Sequence, residues 1–244
     1  MSRESRTGPG VPPAAGSGPG AAAGVAARAD AASPAGAAAP APATGGGELP
    51  RRARVERQTR ETRVVAAVDL DGTGRHRVAT GVGFFDHMLV QIARHGLLDL
   101  ELTVEGDLEV DPHHTVEDAG IALGQAIRQA LGDGRGIRRY GHSYVPMDEA
   151  LAFCAVDISG RPYLVFQAGF PRERVGAFDT ELTEEFFRAL AVHAGLTLHL
   201  RVEYGRNTHH MVEALFKAFA RALDAAKSRD PRVTEVPSSK GTLL

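Results

Sequence analysis

Two five-residue motifs carry the chemistry that this sequence offers first: His113-His114-Thr115-Val116-Glu117 and His209-His210-Met211-Val212-Glu213. They hold four of the ten histidines in the chain. Each is His-His-x-x-Glu at the head of an apolar-periodic run. Residues three or four apart share a helix face, so Glu117 can flank either His113 or His114. The two imidazoles point about 100° apart at 3.6 residues per turn, so one motif suits two metal ions better than one. Imidazole with carboxylate accepts Mn, Fe, Zn or Ni, and the absence of thiolates argues against structural zinc. Taken once, such a motif is most simply a capped, solvated helix start. Two copies at equivalent points of an internal repeat favour metal binding instead.

The repeat also organises the elements that must position these side chains. ETRVVAAVDLDG (61–72) lies over EALAFCAVDISG (149–160) with a shift of 88. DHMLVQIARHGLLDLELTVE (86–105) lies over EEFFRALAVHAGLTLHLRVE (184–203) with a shift of 98. HHTVEDAGIALGQAIRQAL (113–131) lies over HHMVEALFKAFARAL (209–223) with a shift of 96. The shift changes only in connections, where insertions are cheap. Periodicity predicts helices over 84–95, 113–131, 180–193 and 209–226, and strands at 61–70, near 76–80, 98–105, 149–158, 162–168 and 196–203. This is an α/β chain made of two ββαβα units whose equivalent positions share roles.

Equivalence names further candidates. His87 superposes on Glu185, and a carboxylate can replace an imidazole as a ligand, so both are candidates. His95 superposes on His193, and lone histidines of this kind are more often packed and hydrogen-bonded than liganded. Glu61 and Glu149 are paired acids at strand starts. For Glu149 a solvated strand end is the simpler reading. An anion-binding set is also present: Arg138-Arg139 after a Gly-rich connection, Arg161 in a turn, and Ser238-Ser239-Lys240-Gly241 near the C-terminus. Arg, Lys and Ser are what a phosphate needs, and Lys240 is one of only three lysines. Val68-Asp69-Leu70-Asp71-Gly72-Thr73 imitates a phosphatase DxDGT motif. The repeat partner AVDISG lacks the second Asp, and no doubly wound βα series follows, so a hairpin turn is the better reading.

Composition bounds the rest. The 244 residues carry 28 basic and 30 acidic side chains, for a formal net charge of −2, which argues against a nucleic-acid partner. The one cysteine, Cys154, cannot form an internal disulfide. No apolar run reaches the ~20 residues that cross a bilayer. Residues 1–47 are nearly all Ala, Gly, Pro, Ser and Arg, and are expected to be disordered. They have no continuous apolar stretch of the secretory kind, and they match a transit peptide poorly. The expected organisation is therefore an extension over 1–47, a first half over 48–146, and a second half with a C-terminal tail over 147–244.

Taken in order, GVGFFDHML, DPHHTVEDAGIALGQA, RRYGHSYVPMDEALA, DISGRPYL, HHMVEALFKAFARAL and VPSSKG resemble the successive signatures of the imidazoleglycerol-phosphate dehydratase family. The resemblance runs from about Arg57 to the C-terminus. It implies a cytoplasmic lyase of histidine biosynthesis that dehydrates imidazole glycerol phosphate to imidazole acetol phosphate. The implied fold is a duplicated α+β sandwich of the ribosomal protein S5 domain 2 type. The implied cofactor is Mn2+, two ions per active site, in a homo-oligomer of 24 subunits built from trimers with sites between subunits. Carried over, the metal ligands fall on His87, His113, His114, Glu117, His209, His210 and Glu213. Glu185 stands where the family motif has His, and internal symmetry with His87 makes it an eighth. Substrate contacts fall on Glu61, Gln91, His95, Arg139, Arg161, Ser239 and Lys240. The expected catalytic set is Glu61, His87 and His209.

That reaction breaks a C–H bond with no carbonyl beside it, so the imidazole ring is the only electron sink. A ring nitrogen held by a dication loses its proton more easily. The resulting metal-bound imidazolate can expel the hydroxyl, and Glu61 is the candidate for moving protons at the glycerol carbons. The alternatives are a dinuclear-metal hydrolase on the same ligands, acting on a small phosphorylated substrate, and a non-enzymatic metal-binding oligomer.

Overall fold

The computed structural model describes residues 50–243. The expected disordered extension over 1–47 lies outside them. The first half comprises β1 (Arg52–Gln58), β2 (Thr62–Asp69), β3 (His76–Ala79), α1 (Gly83–Gly96), β4 (Asp99–Gly106) and α2 (His113–Leu131). The second comprises β5 (Tyr140–Met147), β6 (Ala150–Ile158), β7 (Tyr163–Gln167), β8 (Arg174–Val175), β9 (Phe178–Asp179), α3 (Leu182–Ala194), β10 (Leu196–Tyr204) and α4 (Thr208–Lys227). The sheets share one topology: β1-β2-β4-β3 and β5-β6-β10-β7. In each, the first three strands are antiparallel and the last pairs in parallel with its neighbour.

The duplicated α/β sandwich is as expected, with three differences. A leading strand, β1 or β5, precedes the expected pair in each unit, the second unit also inserts the short β8–β9 hairpin, and the turn at Gly72 closes no hairpin, because β3 pairs with β4 and not with β2. β1 and β5 are edge strands with almost no buried apolar side chains. In β1 only Val55 is buried, and in β5 only Gly141. A Cβ on Gly141 would collide with the Ala222 carbonyl of α4, so a large residue is excluded where β5 crosses that helix. Alternation, the usual strand signal, therefore fails there. β5 lies at the end of the expected first half but pairs with β6 through a tight turn at Asp148, so it forms part of the second sheet.

Core packing follows from periodicity. β6 alternates buried and half-buried residues along its length, β2 does the same after the exposed Arg63, and the four helices bury Phe85, Met88, Ile92, Leu123, Ile127, Phe186, Leu190, Leu215 and Phe219 among others. α2 rests on the first sheet and α4 on the second, while the helix pairs α1·α4 and α2·α3 cross between the halves. The helices thus lie between two sheets, and the duplication makes α1·α4 the counterpart of α3·α2. No helix among the described residues is long and apolar enough to cross a membrane.

Candidate metal centre and anion site

The centre is built from the start of α4. Glu149 Oε1 accepts the N–H groups of Arg206 at 3.1 Å and Asn207 at 2.6 Å, and Asn207 Oδ1 accepts that of His209 at 3.0 Å. These acceptors satisfy donors that a helix start leaves open. With the first turn fixed, His209 and Glu213 share a face, and His209 Nε2 lies 3.0 Å from Glu213 Oε2. On α1, His87 Nε2 comes within 3.2 Å of the same oxygen. One ligand atom from each of the three residues lies within 4.8 Å of the others. Gln91, one turn along α1, places its amide 3.3 Å from His87 Nδ1 and so orients the ring. Phe84 packs edge-on against His209, with centroids 5.0 Å apart, and is itself held by Phe178 of β9.

Two imidazole nitrogens and a carboxylate oxygen converging from two packed helices fit a divalent cation with nitrogen and oxygen ligands and further positions open. The Glu213 side chain is only 6% exposed. Burial pushes its carboxyl up, but the Lys217 ammonium at 2.7 Å, with contacts from His87 and His209, leaves it net below the ordinary carboxylate value. It is therefore anionic and ready to bind a cation.

His114 and His210 are held differently. His210 Nδ1 lies 2.8 Å from Glu149 Oε2, and His114 Nδ1 lies 3.0 Å from Asp107 Oδ2. A carboxylate on Nδ1 fixes tautomer and ring orientation and leaves Nε2 as the ligand atom. The hydrogen bond that His114 donates to Asp107 raises the His114 pKa, and the same kind of bond from His210, with the two backbone N–H groups, lowers that of Glu149 to about 2. His113 and Glu117 share a face of α2, but neither side chain has a hydrogen bond or ion pair among the described residues. Glu185 lies on the neighbouring α3 and pairs with Arg188 at 3.5 Å. No second group of three ligands closes among the described residues.

The anion set gathers elsewhere. Arg139 Nε donates to Asp157 Oδ1 at 2.7 Å and Nη1 to the Pro237 carbonyl at 2.9 Å, while Arg161 Nη2 lies 3.8 Å from Asp157. This joins Arg139, Arg161 and the tail that carries Ser239 and Lys240, both exposed. Arg139 has φ of 72°, an uncommon conformation for a residue with a side chain. Its N–H donates to the Ala226 carbonyl, near the far end of α4. Seventeen residues of helix separate Ala226 from His209, about 25 Å at 1.5 Å per residue.

The structure thus brings His87, His209 and Glu213 together, with Gln91 and His95 farther along the same α1·α4 groove. Glu61 lies on the other side, in the β1–β2 connection: its carbonyl accepts the Asp107 N–H, and its charge acts on His114. Asp107 and Lys217 escaped the sequence pattern. Lys217 was detectable as the residue four after Glu213, the spacing of a helical ion pair. Asp107 has no such signal, because its contact crosses from the end of β4 to α2.

A family model described as imidazoleglycerol-phosphate dehydratase matches residues 80–223. The imidazoleglycerol-phosphate dehydratase of Symbiobacterium thermophilum is 67% identical over 199 residues, covering 82% of this chain and 96% of that one. That of Acetivibrio thermocellus is 57% identical over 195 residues, covering 80% and 100%. A crystal structure of the enzyme from Staphylococcus aureus matches with a TM-score of 0.67 at 44% identity, covering 73% of this chain and 99% of that one. A Pyrococcus furiosus IGPD structure in complex with (S)-C348 also matches with a TM-score of 0.67, at 34% identity, covering 77% and 99%.

Proposed function

The chain belongs to the imidazoleglycerol-phosphate dehydratase family, and from that premise we propose that its active site is assembled from several copies of the chain around two Mn2+ ions. The reaction is a lyase step of histidine biosynthesis: imidazole glycerol phosphate loses water to give imidazole acetol phosphate. The observation that carries the shared site is the ~25 Å of helix between the His87–His209–Glu213 cluster and the Arg139 end of α4. A three-carbon chain between ring and phosphate cannot span it, so the ring and the phosphate are held by different copies.

His87, His209 and Glu213 would hold one ion, and His113, Glu117 and Glu185 the other. His114 and His210, with Nδ1 fixed by Asp107 and Glu149, point Nε2 toward a neighbouring copy. Bound to the substrate ring, the ions make it a better electron sink. The protein residues do the rest. Arg139, Arg161, Ser239 and Lys240 grip the phosphate, and Asp157 holds both guanidiniums in place, which lowers the barrier by pre-arranged geometry. Glu61 moves the proton at the glycerol carbons. Its exposed carboxylate has no hydrogen bond among the described residues, because Asp107 has taken the contact with His114. No observation favours a hydrolase on these ligands. The assembly is a homo-oligomer built from trimers and works in the cytoplasm.

Complementation tests the shared site. Glu61→Gln and Arg139→Ala homo-oligomers are each expected to be inactive, and dissociation followed by joint reassembly should restore part of the activity. A mixture that stays inactive after verified co-assembly would refute the proposal.

A further inference from the structure

The two cages of the protomer are chemically unequal, and we propose that Glu185 makes the second a carboxylate-rich site that keeps Mn2+ against Zn2+ better than the first. The proposal rests on the two-metal reading above. The internal twofold maps His87 onto Glu185, His209 onto His113 and Glu213 onto Glu117. The helix register agrees. α2 and α3 run parallel in close contact: a Cβ on Gly120 would meet the Phe186 carbonyl at 2.8 Å and Ala189 Cβ at 2.9 Å, and one on Gly124 would meet the Leu190 carbonyl at 2.8 Å and His193 Cβ at 2.9 Å. Carried back one turn, this register sets Glu185 level with Glu117, as His87 stands level with Glu213 across α1·α4.

Within one protomer the first cage therefore offers two imidazoles and one carboxylate, and the second one imidazole and two carboxylates; an imidazole from a neighbouring copy would add equally to each and leave the inequality. Imidazole suits Zn, Fe and Ni, whereas carboxylate suits Mg, Ca and Mn. Two carboxylates side by side also repel until a cation neutralises them. Arg188 holds that position: its Nε lies 3.5 Å from Glu185, and its Nη2 lies 2.7 Å from Glu184. The equivalent residue beside His87 is Val90, which competes for nothing. Displacing Arg188 weakens binding of both metals alike, so it leaves the preference between them to the donor atoms.

Zinc competition tests this on the full-length assembled protein. Protein loaded with Mn2+ is dialysed against rising Zn2+, and retained Mn is counted per chain by elemental analysis. Release is expected in two steps of one ion per chain, the first from the His87 cage. In Glu185→His the cages become alike, and the late step moves to zinc concentrations lower by roughly tenfold or more. His87→Glu, which makes the first cage like the second, is expected to move the early step the other way. A single step in the unaltered chain, or unchanged curves in both variants, overturns the inequality while leaving two bound ions intact. Loading that never exceeds one Mn2+ per chain refutes the two-metal reading itself, and the inequality with it.

Discussion

The two helix pairs descend from one duplicated unit and have diverged in opposite directions. Along α1·α4 a polar ladder faces inward: His87 and Gln91 on one helix, and His209, Glu213 and Lys217 on the other, linked by contacts of 2.7–3.3 Å, with His95 one turn beyond Gln91. Along α3·α2 the positions equivalent to Gln91 and Lys217 are Ala189 and Ile121, and Gly120 and Gly124 bring the backbones into contact. The strand-start acids diverge as well. Glu149 is committed to the start of α4 and to His210, whereas Glu61 is free of such work. Duplication supplies two of everything. Specialisation then shows in which copy keeps a free reactive group and which turns it into structure.

The comparison breaks most visibly at the paired acids. Glu61→Gln is expected to lower turnover by about 10²–10⁴-fold while substrate binding survives, the usual loss for an acid/base group. Glu149→Gln should act through His210 and the α4 start, lowering metal affinity by roughly 10–100-fold. Steady-state kinetics and metal titration of both variants separate the roles, and identical profiles would erase the distinction.

The motif glutamates come next. In metal-free protein, Glu213→Ala leaves the Lys217 ammonium without its partner, and should destabilise by roughly 2–3 kcal/mol, less than a fully buried pair because Lys217 is part-exposed. Glu117→Ala, with no partner to abandon, should change stability by less than about 0.5 kcal/mol. Urea unfolding distinguishes them, and equal losses would mean the two motifs are packed alike.

Helix spacing gives a smaller contrast. Gly124→Ala drives a methyl against the Leu190 carbonyl at 2.8 Å and should cost about 1–3 kcal/mol. Gly96→Ala makes only near-ordinary contacts, with the Ala220 carbonyl at 3.4 Å and Leu98 Cδ2 at 3.5 Å, and should stay within about 0.5 kcal/mol. Thermal melts of the two variants measure the difference.

The smallest effect is a pH dependence at one position of the repeat that its counterpart lacks. The Arg75 guanidinium, with N–H groups of Thr73 and Arg75, holds Asp99 below its ordinary value of 3.8, at about 2. A depressed carboxyl stabilises the fold above its unfolded pKa, and that contribution is lost as pH falls through the folded one. The equivalent residue, Thr197, bonds the Arg161 carbonyl through a hydroxyl that does not titrate. Asp99→Thr should therefore flatten the stability profile between about pH 4 and pH 2 and lower stability on the plateau above it, including near neutrality. A slope as steep as that of the unaltered chain in that window would place its origin elsewhere.

Much of this was legible from residue order. The four helices lie within two residues of their periodic runs, because long amphipathic helices announce themselves through a buried stripe. The edge strands β1 and β5 did not, since Val55 and Gly141 are their only buried residues. The site was legible as a set of residues and not as a grouping. His209 and Glu213 share a helix face by spacing alone, but nothing in the order of residues says that His87 meets Glu213 across 126 positions.

The amino-acid sequence by itself determined the duplicated unit, the candidate ligands and the family, since each is written in local period or direct motif identity. The tertiary structure alone decided which candidate ligands meet, which acid is committed to a helix start, and how far Arg139 lies from the His87–His209–Glu213 cluster. Those depend on the parallel docking of helices from opposite halves and on the about 25 Å of α4 that separates His209 from Ala226. Packing distances of that kind are set by side-chain shape across long sequence separations, which no local pattern encodes.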